Sequence, residues 1–279
     1  MTISENITAY NLYQKGYSAN KIGKILGYTD HTILNAIRSI DPSAVRSKAG
    51  FKPSWNENYF ETIDDEFKSY FLGFLMGDGN VTRRLKSQPV IRLQISNKDS
   101  YILHILKEVL CVNNKIEYSI RDNTNTLRFH SSRMASDLEK YGIVPNKTGK
   151  ERFPYDKIPE KLVHHFLRGF FDADGWFSIS NNKTKIKFMI GWAKNIKMLK
   201  DIKKYLNDHV NGLTDVKIHK YSEDKGYKGY AMLLYTKRQN VLDIAEFLYQ
   251  NATIYLDRKR KVYETMLTIP RGRVKISSL

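Results

Sequence analysis

Apolar positions recur at helical spacing in three short stretches at the start of the chain. Ile7 and Tyr10, with Leu12 and Tyr13, mark a first helix that Gly16 closes. Ile22, Ile25 and Leu26 mark the inner face of a second, with Ser18 as its cap and Gly27 as its end. Ile33, Leu34 and Ile37 mark a third, from Thr29 or Asp30 to Ile40, where Asp41-Pro42 stops it. Residues 1–42 thus read as a small all-α module. Residues 43–62, with Gly50, Pro53 and many polar positions, read as a linker, with Lys48, Lys52 and Trp55 free to touch a partner.

The pattern then repeats itself. YFLGFLMGDGNV (70–81) and FLRGFFDADGWF (166–177) are 96 residues apart. Each is an apolar helix ending in a small residue, aspartate and glycine, then running into an alternating polar stretch. VIRLQISNKDSYILHILKEVL (90–110) and IKFMIGWAKNIKMLKDIKKYL (186–206) align at the same offset, each a strand followed by an amphipathic helix. IVPNK, ending at Lys147, aligns with YLDRK, ending at Lys259. Such a duplication predicts a pseudo-two-fold α+β molecule, with half one at 63–158, half two at 159–270 and a basic tail at 271–279.

Gly73 and Gly77 share one helix face, as do Gly169 and Ala173. An isolated glycine in a helix costs roughly 1 kcal/mol, so a close helix–helix approach is the natural reason for keeping it. That approach sets Asp78 and Asp174 side by side at two helix C-termini, where the helix dipole and mutual repulsion both disfavour negative charge. The arrangement calls for a counter-ion, and magnesium, a hard cation that prefers oxygen, suits it.

Charge narrows the partner. Residues 1–45 hold four of the 46 basic and three of the 29 acidic residues, leaving 16 of the 17 excess charges on the remainder. A folded surface of that sign faces a polyanion. The first module is nearly neutral and so does not bind tightly alone. No apolar run is long enough for a membrane span, and the first residues lack a secretory pattern. The single cysteine, Cys111, excludes a disulfide framework and a cysteine-rich zinc site, and is expected to be a small buried hydrophobe.

The paired segments FLGFLMGDG (71–79) and LRGFFDADG (167–175) resemble the motifs of the LAGLIDADG homing endonucleases in their monomeric two-motif form. The resemblance covers roughly residues 63–270. It implies two αββαββα units forming a saddle over DNA, the motif helices at their interface, and metal-dependent cleavage giving 5′-phosphate and 3′-hydroxyl ends. It carries over Asp78 and Asp174 as metal ligands, helped by the backbone carbonyls of Gly77 and Ala173. Lys147 and Lys259 stand for the active-site lysines. Asn97 and, in half two, Lys194 beside Ala193 stand where a polar residue holds water, so the two sites are unlike and could nick with a strand bias. Met76 replaces Asp172 at a motif position that is not a ligand. Mg²⁺ is the implied cofactor, with Mn²⁺ substituting and Ca²⁺ binding without cleavage.

Alternation after each motif marks the residues that would reach DNA. In half one these are Asn80, Thr82, Arg84, Lys86, Gln88, Arg92 and Gln94, with Tyr118, Arg121, Asn125 and Arg128 from later strands. In half two they are Trp176, Ser178, Ser180, Asn182, Lys183, Lys185 and Lys187, then Lys217, His219, Lys220, Tyr221, Lys225 and Lys228. The first module looks like a resolvase-type helix-turn-helix, whose outer face would present Thr29, Asp30, His31, Thr32, Asn35 and Arg38 to a major groove. The expected partner is double-stranded DNA, bound by a monomer without protein partner or membrane. Intron RNA is a second candidate partner through maturase activity, and a non-cleaving regulator is the competing reading. Bias toward Lys, Asn, Ile and Tyr suggests an AT-rich genome, and the expected setting is a bacterial or phage-infected cytoplasm and nucleoid, or an organelle.

Overall fold

The computed structural model describes residues 1–14, 17–41, 44, 55–83, 85, 87–182, 185–221 and 229–270. Gly16, Pro42, Lys48, Gly50, Lys52, Pro53, Arg84, Lys86, Lys183, Lys225, Lys228 and the 271–279 tail lie outside them. The chain forms two compact units. One comprises 1–56 with 103–115, and the other 57–102 with 116–279.

In the first unit, α1 (Ile3–Gln14), α2 (Ala19–Leu26) and α3 (Asp30–Ile40) enclose Ala9, Ile22, Ile33 and Ile37. Ser18 caps α2 by accepting from the Lys21 amide, and Thr29 caps α3 through the Thr32 amide. Gly27, at φ +78°, makes the left-handed turn between them. Two residues depart from expectation. Ile7 and Ile25 are 49% and 55% exposed. Because α1 begins at Ile3, successive side chains turn by about 100°, and Ile7 falls well away from buried Ala9. In the same unit Cys111 is half-buried rather than buried, with φ +55° in the turn after α5 (Tyr101–Val109).

The second unit contains half two and all of half one except residues 103–115, which belong to the first unit. Half one runs α4 (Glu66–Asp78), β1 (Gly79–Thr82), β2 (Val90–Ser96), α5, β3 (Ile116–Ser119), β4 (Thr124–His130) and α6 (Ser132–Lys140). Half two runs α7 (Glu160–Asp174), β5 (Gly175–Asn182), β6 (Lys185–Asn195), α8 (Ile196–His209), β7 (Ile218–Lys220), β8 (Tyr230–Tyr235), α9 (Arg238–Tyr249) and α10 (Asp257–Thr268). Each sheet is antiparallel, in the orders β1-β2-β4-β3 and β5-β6-β8-β7. The period-two pattern buries one face of each sheet, through Val81, Ile91, Leu93 and Ile95 in one and Phe188, Ile190, Trp192 and Leu233 in the other. The opposite face is left open. Among the described residues, no helix is long and apolar enough to cross a membrane.

Candidate active site

Helices α4 and α7 cross at glycine. A Cβ built on Gly73 would lie 2.9 Å from the Phe166 carbonyl carbon and nearer still to its oxygen. One on Gly169 would lie 2.8 Å from the Tyr70 carbonyl carbon, again nearer to its oxygen. Both glycines, and both carbonyls, are related by the same 96-residue offset, so the contact is reciprocal. Ser69 donates to the Leu162 carbonyl at 2.7 Å across this crossing. One turn on, Gly77 faces Ala173, and a Cβ there would meet Asp174 Oδ2 at 2.9 Å. The aspartates that follow therefore share one locus at the base of the two sheets. Asp78 keeps an exposed edge, while the Asp174 side chain is 21% exposed.

Surrounding protein thins the water around Asp78, Asp174 repels it, and its carboxyl is pushed up to about 7. The expected lysines are both here, each buried and each holding a helix end. Lys147 Nζ donates to the carbonyls of Met76 and Gly77 at 2.7 and 2.8 Å. Lys259 Nζ donates to those of Phe171, Asp172 and Gly175 at 2.5, 2.8 and 2.5 Å. Burial brings each ammonium down to about 8. Two cations at the two negative helix ends offset the field that disfavours the aspartates. Gly77's carbonyl, named as a metal ligand, is engaged by Lys147 in this structure, and Lys259 binds the carbonyls on either side of Ala173.

The two sites differ. Lys194 Nζ contacts Asp174 Oδ2 at 2.6 Å and lies 3.6 Å from buried Glu151. Burial opposes the charge on Lys194, but Asp174 and then Glu151 outweigh it and hold the ammonium above its ordinary value. Strand pairing corrects the alignment of half one. Gly79 opposes Leu93 but Gly175 opposes Trp192, so the second hairpin is three residues longer. Ala193 therefore corresponds to Gln94, and Lys194 to buried Ile95. Asn97 sits beyond the strand, where its side-chain oxygen accepts from Asn125 at 2.7 Å.

Two residues to which the sequence assigned no role, Arg168 and Asp172, are buried in α7. Arg168 is fully buried and binds the carbonyls of Ile254 and Leu248, His165, and Glu66 at 2.6 Å. Asp172 accepts from the Tyr70 hydroxyl at 2.9 Å and the Leu256 amide at 2.8 Å, and burial raises its pKa to about 6. Charges amid an apolar helix, at positions where half one has Leu72 and Met76, were the visible signal for both. Glu151 carried no comparable signal.

On the open face of the first sheet, Asn80 opposes Arg92, and Arg92 opposes Arg128. Like charges paired across strands are unfavourable without an anion between them, and Glu117 is 3.3 Å from Arg128. Thr82, Gln88 and Arg121 are exposed, and Gln94 donates to Thr124. On the second sheet Ser178 opposes Met189 and Ser180 opposes Lys187, while Trp176 lies across Gly191. His219 shares that face with Met232. Lys220 and Ile218 point to the helix side instead, and with Lys217 line a trough against α8. Tyr118 and Tyr221 are exposed, and Asn182 and Lys185 end β5 and begin β6.

In the first unit, Thr29 and Thr32 hydroxyls bond at the start of α3, and Asp30 accepts from the His31 amide. His31, Asn35 and Arg38 form an exposed ladder, with contacts of 3.3 and 3.0 Å.

Residues 167–268 match the model of the LAGLIDADG endonuclease family. Two proteins of Methanocaldococcus jannaschii align over 123 residues. An uncharacterised protein is 31% identical over 43% of this chain and 41% of its own length. A probable translation initiation factor IF-2 is 25% identical over 42% of this chain and 10% of its own. The chain thus spans less than half of either relative. Among solved structures, the I-SmaMI LAGLIDADG homing endonuclease bound to cleaved DNA superposes with TM-score 0.54 at 13% identity, covering 74% of this chain and 88% of that one. The LAGLIDADG meganuclease I-CpaMI bound to uncleaved DNA gives 0.51 at 14%, covering 73% and 90%. Half two thus matches the LAGLIDADG endonuclease family model, half one repeats its motif and strand order, and the fold of the chain is that of the LAGLIDADG endonuclease structures.

Proposed function

We propose that the chain is a site-specific endonuclease that cuts both strands of a long, asymmetric double-stranded DNA target, in intron or gene homing. The observation that carries this is the reciprocal glycine crossing, which delivers Asp78 and Asp174 to one locus between two open, polar sheet faces. A monomer suffices, because both carboxylates come from one chain.

The donor set fits a hard divalent cation. It offers hard oxygen donors, and burial together with repulsion from Asp174 raises Asp78, so a cation would relieve a charge conflict already present. Asp78 and Asp174 would hold Mg²⁺, with Mn²⁺ substituting and Ca²⁺ binding without supporting cleavage. The cation would supply positive charge to the scissile phosphates and the departing 3′ oxygens. Among the described residues no group of three or more acidic, histidine or cysteine side chains forms, so phosphate oxygens and water would complete the coordination. Water attacks each phosphate, leaving 5′-phosphate and 3′-hydroxyl ends, with no covalent enzyme intermediate. Lys147 and Lys259 fix the helix ends that carry the aspartates, and Lys194 orients Asp174. Arg92, Arg128, Asn80 and Gln94 on one sheet, and Trp176, Ser178, Ser180 and Lys187 on the other, contact the duplex. The His31–Asn35–Arg38 ladder reads a further major-groove segment.

Cleavage of a plasmid library carrying random inserts tests this, with Mg²⁺ and with Ca²⁺, beside Asp78→Asn/Asp174→Asn. Cutting at one sequence with Mg²⁺ and none from the double variant is expected. Sequence-specific binding with no cut in either metal refutes the nuclease and leaves a regulator.

A further inference from the structure

Half two has a second opening, at the end of α7 remote from Asp174. Fifteen helical residues separate the two ends, a distance of about 21 Å. The opening is a cavity of about 290 Å³ walled by Tyr155, Tyr205, His209, Glu160, Lys204 and Asp208. The Tyr205 and His209 rings stack at 3.8 Å and 12°. Tyr155, 41% exposed, stands 5.8 Å from Tyr205 at the rim. The volume lies at the lower limit of ligand pockets and suits one flat ring system. Sharing its Lys204 and Asp208 wall is a trough of about 660 Å³ that includes Lys200, Lys203, Lys217 and Lys220. Lys203 and Lys204 are paired to Asp215 and Asp208. Lys200, Lys217 and Lys220 are exposed and, among the described residues, form no ion pair. This surface is on the helix side of the second sheet, away from the open face that carries Trp176.

A stacking platform joined to a lysine-lined trough is the chemistry by which proteins hold unpaired strands. A duplex offers no free base for such a cavity. We propose that this surface binds single-stranded nucleic acid, one base in the aromatic cavity and the adjoining phosphates along Lys200, Lys217 and Lys220. Asp208 is held by Lys204, but Glu160 at the mouth is an acceptor, so the cavity favours a base with an exocyclic amino group, such as adenine, over uracil. Two sources share this chemistry, RNA and displaced single-stranded DNA.

The test is fluorescence anisotropy of the full chain with labelled decaadenylate RNA, its DNA counterpart and decauridylate RNA, in an excess of unlabelled duplex DNA. Decaadenylate is expected to stay bound with duplex present, and more tightly than decauridylate. Three phosphate contacts give a log–log salt slope of about −2. Tyr155→Ala is expected to weaken binding roughly tenfold with an unchanged slope, and Tyr155→Phe to restore it. Lys200→Ala/Lys217→Ala is expected to shallow the slope by about 1.4. Tighter RNA binding identifies RNA as the source, and tighter DNA binding the displaced strand. Displacement of the oligonucleotide by duplex in proportion to its concentration overturns the proposal, as does wild-type affinity in Tyr155→Ala. Duplex binding by Tyr155→Ala, which is expected to be unchanged, separates this outcome from any failure of the nuclease reading.

Discussion

Gly169→Ala sets two effects of opposite sign against each other. Alanine is the better helix former by about 1 kcal/mol, so propensity alone predicts a more stable protein. The new methyl would lie 2.8 Å from the Tyr70 carbonyl carbon and 3.0 Å from the Phe74 amide nitrogen, and closer to the Tyr70 oxygen. Carbon pairs rest at about 3.5–4.0 Å, so α4 and α7 must part by roughly 1 Å. The obstacle is backbone, which cannot change rotamer. Overpacking costs about 1–3 kcal/mol, and the upper end applies here. The net is a loss of about 2 kcal/mol, or about 4–8 °C in Tm for a unit of this size. Urea and thermal denaturation measure it. A displacement of that size at the aspartates also lowers cleavage by about a hundredfold in protein kept folded at low temperature. If Gly169→Ala equals or exceeds the wild type in stability, the close crossing is wrong, and with it the placement of Asp78 against Asp174.

Arg168→Leu removes the cation paired with Glu66, which keeps only its hydrogen bonds from Thr253 and Ile254, and is expected to cost about 3–5 kcal/mol by urea denaturation, with Arg168→Leu/Glu66→Gln recovering part of the loss. Asp78 titrates higher folded than unfolded, so metal-free wild type should lose stability as pH rises from about 4 to 7, relative to Asp78→Asn. A pH-independent difference in urea midpoint contradicts that. Lys194→Met removes the direct partner of Asp174 but only a through-space attraction on Asp78, so nicked plasmid should accumulate before linear product in a time course. Arg38→Ala should relax sequence preference at one end of the footprint only, read by selection from a randomised target, at about 1–3 kcal/mol.

The duplication was legible because its carriers are local. A glycine stripe, an acidic end and an alternating strand recur at one fixed offset, and the helical periods of α2 and α3 are similarly self-contained. The offset failed where the hairpins differ in length, because strand register depends on pairing that no single segment contains. That is why Asn97 was aligned with Ala193 although Gln94 occupies the position. Glu151 and Glu66 were invisible for a related reason. A carboxylate on a loop or in a first helical turn reads as solvated until the chain brings Lys194 or Arg168 to it from far away. Ile7 and Ile25 show the converse, since apolar residues on a small module have too little core to cover them all.

The crossing of the motif helices has two layers of different character. At Gly73 and Gly169 each half meets only main chain, which every protein possesses, so this layer accepts any partner of the right shape. Around those glycines the matching becomes individual. Asp172 needs the hydroxyl of Tyr70, and Arg168 needs the carboxylate of Glu66. Half one presents Leu72 and Met76 at the corresponding places and could satisfy neither Tyr70 nor Glu66 in a second copy of itself. The tie between the halves therefore carries a sense of direction, a lock in one repeat and a key in the other. Half one therefore fits half two in a way that it could not fit a second copy of itself.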